Sequence, residues 1–145
     1  MKIKYKPKNT GYITIPRKIQ GLLKCLKINF TNLGAYISFV CQADWDKRHT
    51  NYRAILADDD ILANYWGYDI STVYRQRKKL IKVGLLEEKD GITFVKNLDI
   101  FNIRTTKALA KKECNITDLH TYFVKSEKEL AMVMFGIENM PEVQD

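Results

Sequence analysis

The chain has 145 residues, 46% hydrophobic and 28% charged, with 24 Lys and Arg against 17 Asp and Glu for a formal net charge of +7. Such a chain can bury a core of its own, and disorder over most of its length is not expected. Cys25, Cys41 and Cys114 are odd in number, widely spaced and without a C-x-x-C pair. Neither a disulfide framework nor a zinc site is expected, and a reducing, cytoplasmic setting is the simplest fit.

The charge is uneven. Residues 1–30 hold eight bases (Lys2, Lys4, Lys6, Lys8, Arg17, Lys18, Lys24, Lys27) and no acid, whereas residues 126–145 hold one Lys against five acids, a net of −4 that leaves +11 for residues 1–125. A polyanion partner accounts for this better than an acidic small molecule does.

In chain order, residues 1–11 alternate Lys with other residues and read as a flexible basic arm, in which Lys2, Lys4, Lys6 and Lys8 are candidates for an adjacent minor groove. A short extended segment, Tyr12 to Ile15, leads to Pro16, which suits the first turn of a helix. Ile19, Leu22, Leu23 and Leu26, and then Leu33, Tyr36, Ile37 and Val40, follow helical spacing, so two amphipathic helices are expected with a break around Asn29 to Asn32. The uncharged run Ile28 to Ala43 is too short to cross a bilayer, and the basic N-terminus lacks the apolar stretch of a secretory signal. Trp45 to Asn51 reads as a loop, and Tyr52 to Leu56 as a strand completing a three-stranded sheet.

Asp58, Asp59 and Asp60 precede Ile61, Leu62, Tyr65 and Trp66, a short amphipathic helix whose apolar side is expected to brace the next one. Gly67 is placed for a left-handed turn. In Ile70 to Val83 the wheel puts Ile70, Val73, Leu80 and Val83 on a packing side and Ser71, Arg75, Lys78 and Lys82 opposite. This helix has five bases and no acid. The hydroxyls of Ser71 and Thr72 suit an N-terminus that approaches phosphate. Gly84 ends the helix, and Leu85 to Glu88 and Ile92 to Val95 form a hairpin through Lys89-Asp90-Gly91.

Two helices joined at a glycine and followed by a hairpin form the layout of a winged helix-turn-helix, and the expected partner is double-stranded DNA. The candidate contacts are Ser71, Thr72, Tyr74, Arg75, Lys78, Lys79 and Lys82 on the reading helix. Lys89 and Lys96 on the wing are candidates for phosphate. Arg75 is the candidate for base readout, because Arg makes a bidentate contact to guanine. Arg77 falls near the packing side, so its stem would lie along the core with its head escaping.

Beyond residue 98 the pattern predicts a C-terminal helical extension over 99–145, with a helix over Thr105 to Glu113 and a capping box at Ser126-Glu127-Lys128-Glu129. The last helix would carry Leu130, Val133, Met134 and Ile137 on one face, packing on its own domain or forming a homodimer or partner interface. His49 and His120 stand alone, and Asp44 and Asp46 lie two apart without a further partner. There is no nucleophile and base pair, no catalytic carboxylate pair and no cofactor fingerprint, so neither an enzyme nor a metal or cofactor is expected.

Ser71-Thr72-Val73, Arg75 and Leu80-Ile81-Lys82-Val83-Gly84-Leu85 resemble the winged-helix superfamily over about a quarter of the chain. Gly11-Tyr12-Ile13-Thr14-Ile15-Pro16-Arg17-Lys18-Ile19 and Ala43-Asp44-Trp45-Asp46-Lys47 resemble the N-terminal domain of phage replisome-organiser and DnaD-type replication initiation proteins, or of plasmid replication initiators. The resemblance implies origin binding and recruitment of replication partners. The sequence therefore predicts a mainly α chain with a small antiparallel sheet. Its units would be the arm (1–11), a winged helix-turn-helix domain (12–98) and the extension. The alternatives to a replication role are transcriptional regulation by the same binding mode and a protein-interaction adaptor.

Overall fold

In the computed structural model, residues 11–102 and 134–137 are described. The arm up to residue 10, the helix expected over 105–113, the capping box at Ser126, Cys114, His120, Leu130 and Val133 lie outside them. Four helices are present among the described residues: α1 (Gln20–Cys25), α2 (Phe30–Cys41), α3 (Asp59–Trp66) and α4 (Ile70–Val83). A two-stranded antiparallel sheet follows, β1 (Leu86–Lys89) with β2 (Ile92–Val95). No helix among the described residues is long and apolar enough to cross a membrane.

Pro16 leads into a 3-10 turn over Arg17–Ile19 that runs on into α1. The break before α2 comes earlier than Asn32, because Asn29 caps the helix. Its side chain accepts from Asn32 N at 2.8 Å while the Asn32 side chain accepts from Asn29 N at 3.0 Å, a reciprocal pair that satisfies two orphan donors. α2 is the central helix, burying Ala35, Tyr36, Phe39 and Val40 against α4, Phe101 and Phe135. Tyr36, Phe101 and Phe135 form an aromatic cluster with centroids 5.6 to 6.4 Å apart. Burial there pushes the Tyr36 phenol up from its ordinary pKa.

α3 packs through Leu62, Ala63 and Trp66. Ile61 and Tyr65, expected on its packing side, are exposed, because an eight-residue helix laid on α4 and, through Trp66, on α2 covers only a narrow stripe. Gly67 has φ of 71°, and both its N–H and that of Tyr68 return to Ala63 O, closing α3 and turning the chain into α4. Gly84 ends α4 at φ 93° in the same way.

The hairpin registers Leu86 with Val95 and Lys89 with Ile92. Asp90 and Gly91 at its tip both have positive φ, 53° and 76°, the turn whose twist matches paired strands. The expected third strand is reduced to isolated bridges, Ala43 with Ile55 and Ala54 with Phe94. Arg53, at φ 78°, interrupts it. The Arg53 guanidinium instead donates to Val95 O at 2.8 Å, Lys96 O at 2.9 Å and Glu87 at 3.2 Å, pinning the base of the hairpin.

The core runs past residue 98. A 3-10 turn over Leu98–Phe101 buries Leu98, Ile100 and Phe101, and Phe101 O accepts from Thr14 N at 2.8 Å. Phe135 and Ile137 join the same cluster, Ile137 within 3.3 Å of where a Cβ on Gly84 would sit. Of the face expected on the last helix, Met134 is half-buried and Ile137 buried, but Gly136 turns the chain at φ 72° and the fully buried residue is Phe135.

Candidate nucleic-acid interface

The exposed side of α4 follows from what its other side must do. Val73, Leu80 and Val83 fill the core, which leaves Ser71, Tyr74, Arg75, Lys78 and Lys82 exposed and Thr72 and Lys79 half-buried at the boundary. Ser71, Arg75, Lys78 and Lys82 are the side given as polar by the helical wheel, and the packing side needs one correction. Ile70, placed on the packing side, is 54% exposed, because the first residue of α4 projects beyond the body α4 packs on.

Arg77 takes the place Ile70 was given. It pairs with Asp59 at the start of α3, and its guanidinium lies 5.9 Å from the centroid of the Phe39 ring. Its head does not escape to solvent: it ties α3 to α4 across a half-buried seam. Of the acidic run, the Asp58 side chain makes no cap bond, and Asp59 serves the ion pair. Gln76 joins α4 to α2, accepting from Asn32 Nδ2 at 2.7 Å.

The start of α4 departs most from expectation. The Ser71 and Thr72 hydroxyls are not free for phosphate. Asp69 caps the helix, its Oδ1 accepting from Thr72 N at 2.8 Å, Thr72 Oγ1 at 2.5 Å and Ser71 Oγ at 3.0 Å. These bonds hold the Asp69 carboxyl below the usual range, led by Thr72. A fixed negative charge therefore stands where the helix dipole would attract an anion. The signal was in the sequence: Asp69 precedes the helix directly, and Asp is among the strongest N-caps.

Arg75 Nη2 donates to Thr72 Oγ1 at 3.2 Å, so the candidate base reader is exposed and held along the helix. Lys78 lies 5.3 Å from the Tyr74 ring centroid and 3.5 Å from Glu88 on β1, which sets the hairpin directly beside this face. Lys89, on the last position of β1, pairs with Glu87 at 3.7 Å, and Lys96 is half-buried past the end of β2. Lys79 and Lys82 lie on the same helix, nearer its C-terminal end.

His49 and the two loop aspartates do not stand apart. His49 Nδ1 lies 2.8 Å from Asp44 Oδ2 and its Nε2 lies 3.3 Å from Asp46 Oδ2. The buried Asp44 also accepts from Asp46 N, and Arg48 holds the Asp46 carboxyl well below its ordinary range. The tight turn over 46–53 folds back to bring these residues together, which linear spacing does not display. Among the described residues no group of three or more His, Cys, Asp or Glu is placed to hold a metal ion.

Comparison with family models, with curated proteins and with solved structures returned no match.

Proposed function

We propose that the chain binds double-stranded DNA through a winged helix-turn-helix, with α3 and α4 as its paired helices, α4 entering the major groove, and the β1–β2 hairpin as the wing. One observation carries the reading: Arg75, Lys78, Lys79 and Lys82 lie outside the core on a helix that contains no acid. Long cationic side chains on a rigid helix flanked by a hairpin suit the phosphates and base edges of a groove. Tyr74 completes the helix contacts, Ser71 and Thr72 being engaged by Asp69, and Lys89 and Lys96 are phosphate contacts from the wing. Sequence dependence is assigned to Arg75.

The process proposed is replication initiation of a phage, plasmid or similar element, resting on the resemblance of residues 11–19 and 43–47 to such initiators. Transcriptional control would use the same contacts. Selection of bound sequences from a random duplex pool tests the proposal. Enrichment of a consensus, with Arg75→Ala losing roughly 1 to 3 kcal/mol on it and much less on random duplex, supports it. No enrichment defeats it. The exposed Ile61 and Tyr65 on α3 favour a second reading, an adaptor that docks a protein through that helix. Failure to shift any duplex at low salt would turn the assignment that way.

A further inference from the structure

Between the N-terminal half of α2 and the turn into α4 lies a groove of about 400 Å³, walled by Phe30, Trp66 and Tyr68 and edged by Ser38, Thr72 and Gln76. None of its lining residues is Lys, Arg, Asp or Glu, in a chain that carries +7. The groove is thus a place for an uncharged group. Phe30 is 80% exposed and Tyr68 58% exposed, so two rings stand at the mouth with little packed against them. Trp66 is fixed between them and the core, its Nε1 donating to Ser38 Oγ at 2.6 Å and its ring meeting Phe39 edge-on at 5.5 Å. Gln76 is fixed too: its Oε1 accepts from Asn32, and its Nε2 donates to no group among the described residues. Flat rings and an oriented amide donor suit a planar, neutral heterocycle with acceptors on its edge.

We infer that this groove takes one base unstacked from the bound DNA, its ring lying against Phe30 and Tyr68 and an edge oxygen or ring nitrogen accepting from Gln76 Nε2. The inference rests on the duplex-binding reading and names what part of the duplex this second surface engages. Continuity with the α4 face selects a base of bound DNA over a free ligand. Thr72 lines the groove and also holds Arg75 at 3.2 Å, so the groove opens beside the side chain assigned to base readout. The phosphates stay outside, where the cations of α4 lie, and the base goes where the lining residues themselves are uncharged. Extrusion is easiest at a weakly paired or flexible step. A base held out of the stack loosens the pairs beside it.

The test places 2-aminopurine in turn at each position of a duplex recovered by the selection and saturates it with the full chain. The expected result is a severalfold rise in fluorescence at one position. The Phe30→Ala, Tyr68→Ala double variant loses most of that rise but keeps the melting temperature and most of the duplex affinity, since both rings are exposed. No brightening on a duplex that is visibly shifted overturns the inference and leaves the DNA reading standing, as does brightening undiminished in the double variant. A melting temperature raised by thymidine or adenosine without DNA, with no base brightened, makes the groove a small-molecule site and overturns it as well. Absence of any gel shift defeats the DNA reading first, and the base pocket with it.

Discussion

Asp69 governs how close a polyanion can come to the start of α4. Its folded pKa is depressed, so the cap contributes stability that is present above the unfolded carboxylate range and lost as pH falls through the folded value. At neutral pH it is charged, beside the proposed DNA face. Asp69→Asn keeps the acceptor and removes the charge. Duplex affinity is expected to rise roughly two- to tenfold at low salt, the gain shrinking as salt screens it. A loss in a gel-shift titration would mean instead that the carboxylate accepts from a base amine. Arg77 makes the opposite case, a cation on α4 with no DNA role. Arg77→Ala strands Asp59 and removes a stem packed near Phe39, so a denaturant melt should show a loss of about 1 to 3 kcal/mol. Affinity per folded molecule should stay within about twofold. A large affinity loss at unchanged stability would return Arg77 to the interface.

At the scale of elements, two glycines do the same job under different constraint. Gly67 and Gly84 both end helices at positive φ, and a side chain at either position incurs roughly 1 to 2 kcal/mol of backbone strain. A Cβ on Gly67 meets nothing within 4 Å, whereas one on Gly84 comes within 3.3 Å of Ile137 Cγ2. Gly84→Ala should therefore lower the melting temperature more than Gly67→Ala, and equal effects would remove Ile137 from the argument. Both glycines were legible in sequence, as were the Asp90-Gly91 tip and the extent of α4, because each rests on a local rule of period or turn. What was not legible depends on distant partners. Arg77 was ambiguous until Asp59 lay beside it, and Gln76 carried no signal without Asn32, 44 residues away. The strand over 52–56 looked regular because Arg53 gives no hint, in sequence, of a left-handed residue clamping Val95 and Lys96. His49 appeared isolated because the turn that folds it onto Asp44 is set by the loop, not by spacing. On α4, period chose the polar side correctly, but no periodicity reports that Ser71 and Thr72 are already engaged by Asp69.

For the molecule as a whole, the local charge limits how strongly the proposed face can hold a duplex. Over residues 70–91 there are six bases (Arg75, Arg77, Lys78, Lys79, Lys82, Lys89) and three acids (Glu87, Glu88, Asp90), a net of +3. Arg77 is committed to Asp59, Lys78 lies against Glu88 and Lys89 against Glu87. The latter two pairs are exposed and contribute little to stability, but they alter binding. When a Lys leaves its carboxylate for a phosphate, the abandoned acid remains beside the backbone, and the net charge brought to that phosphate is small. Each fully engaged cation adds about 0.9 to the slope of log affinity against log salt. Lys82→Ala should therefore flatten that slope by nearly one unit, and Lys79→Ala likewise, whereas Lys78→Ala should change it by less than about half as much. Glu88→Gln then becomes the decisive background: with the acid gone, Lys78→Ala should approach the full unit. Equal slopes for the Lys78 and Lys82 variants in the otherwise unaltered chain, or no response of the Lys78 effect to Glu88→Gln, would show that the hairpin acids do not reach the bound DNA.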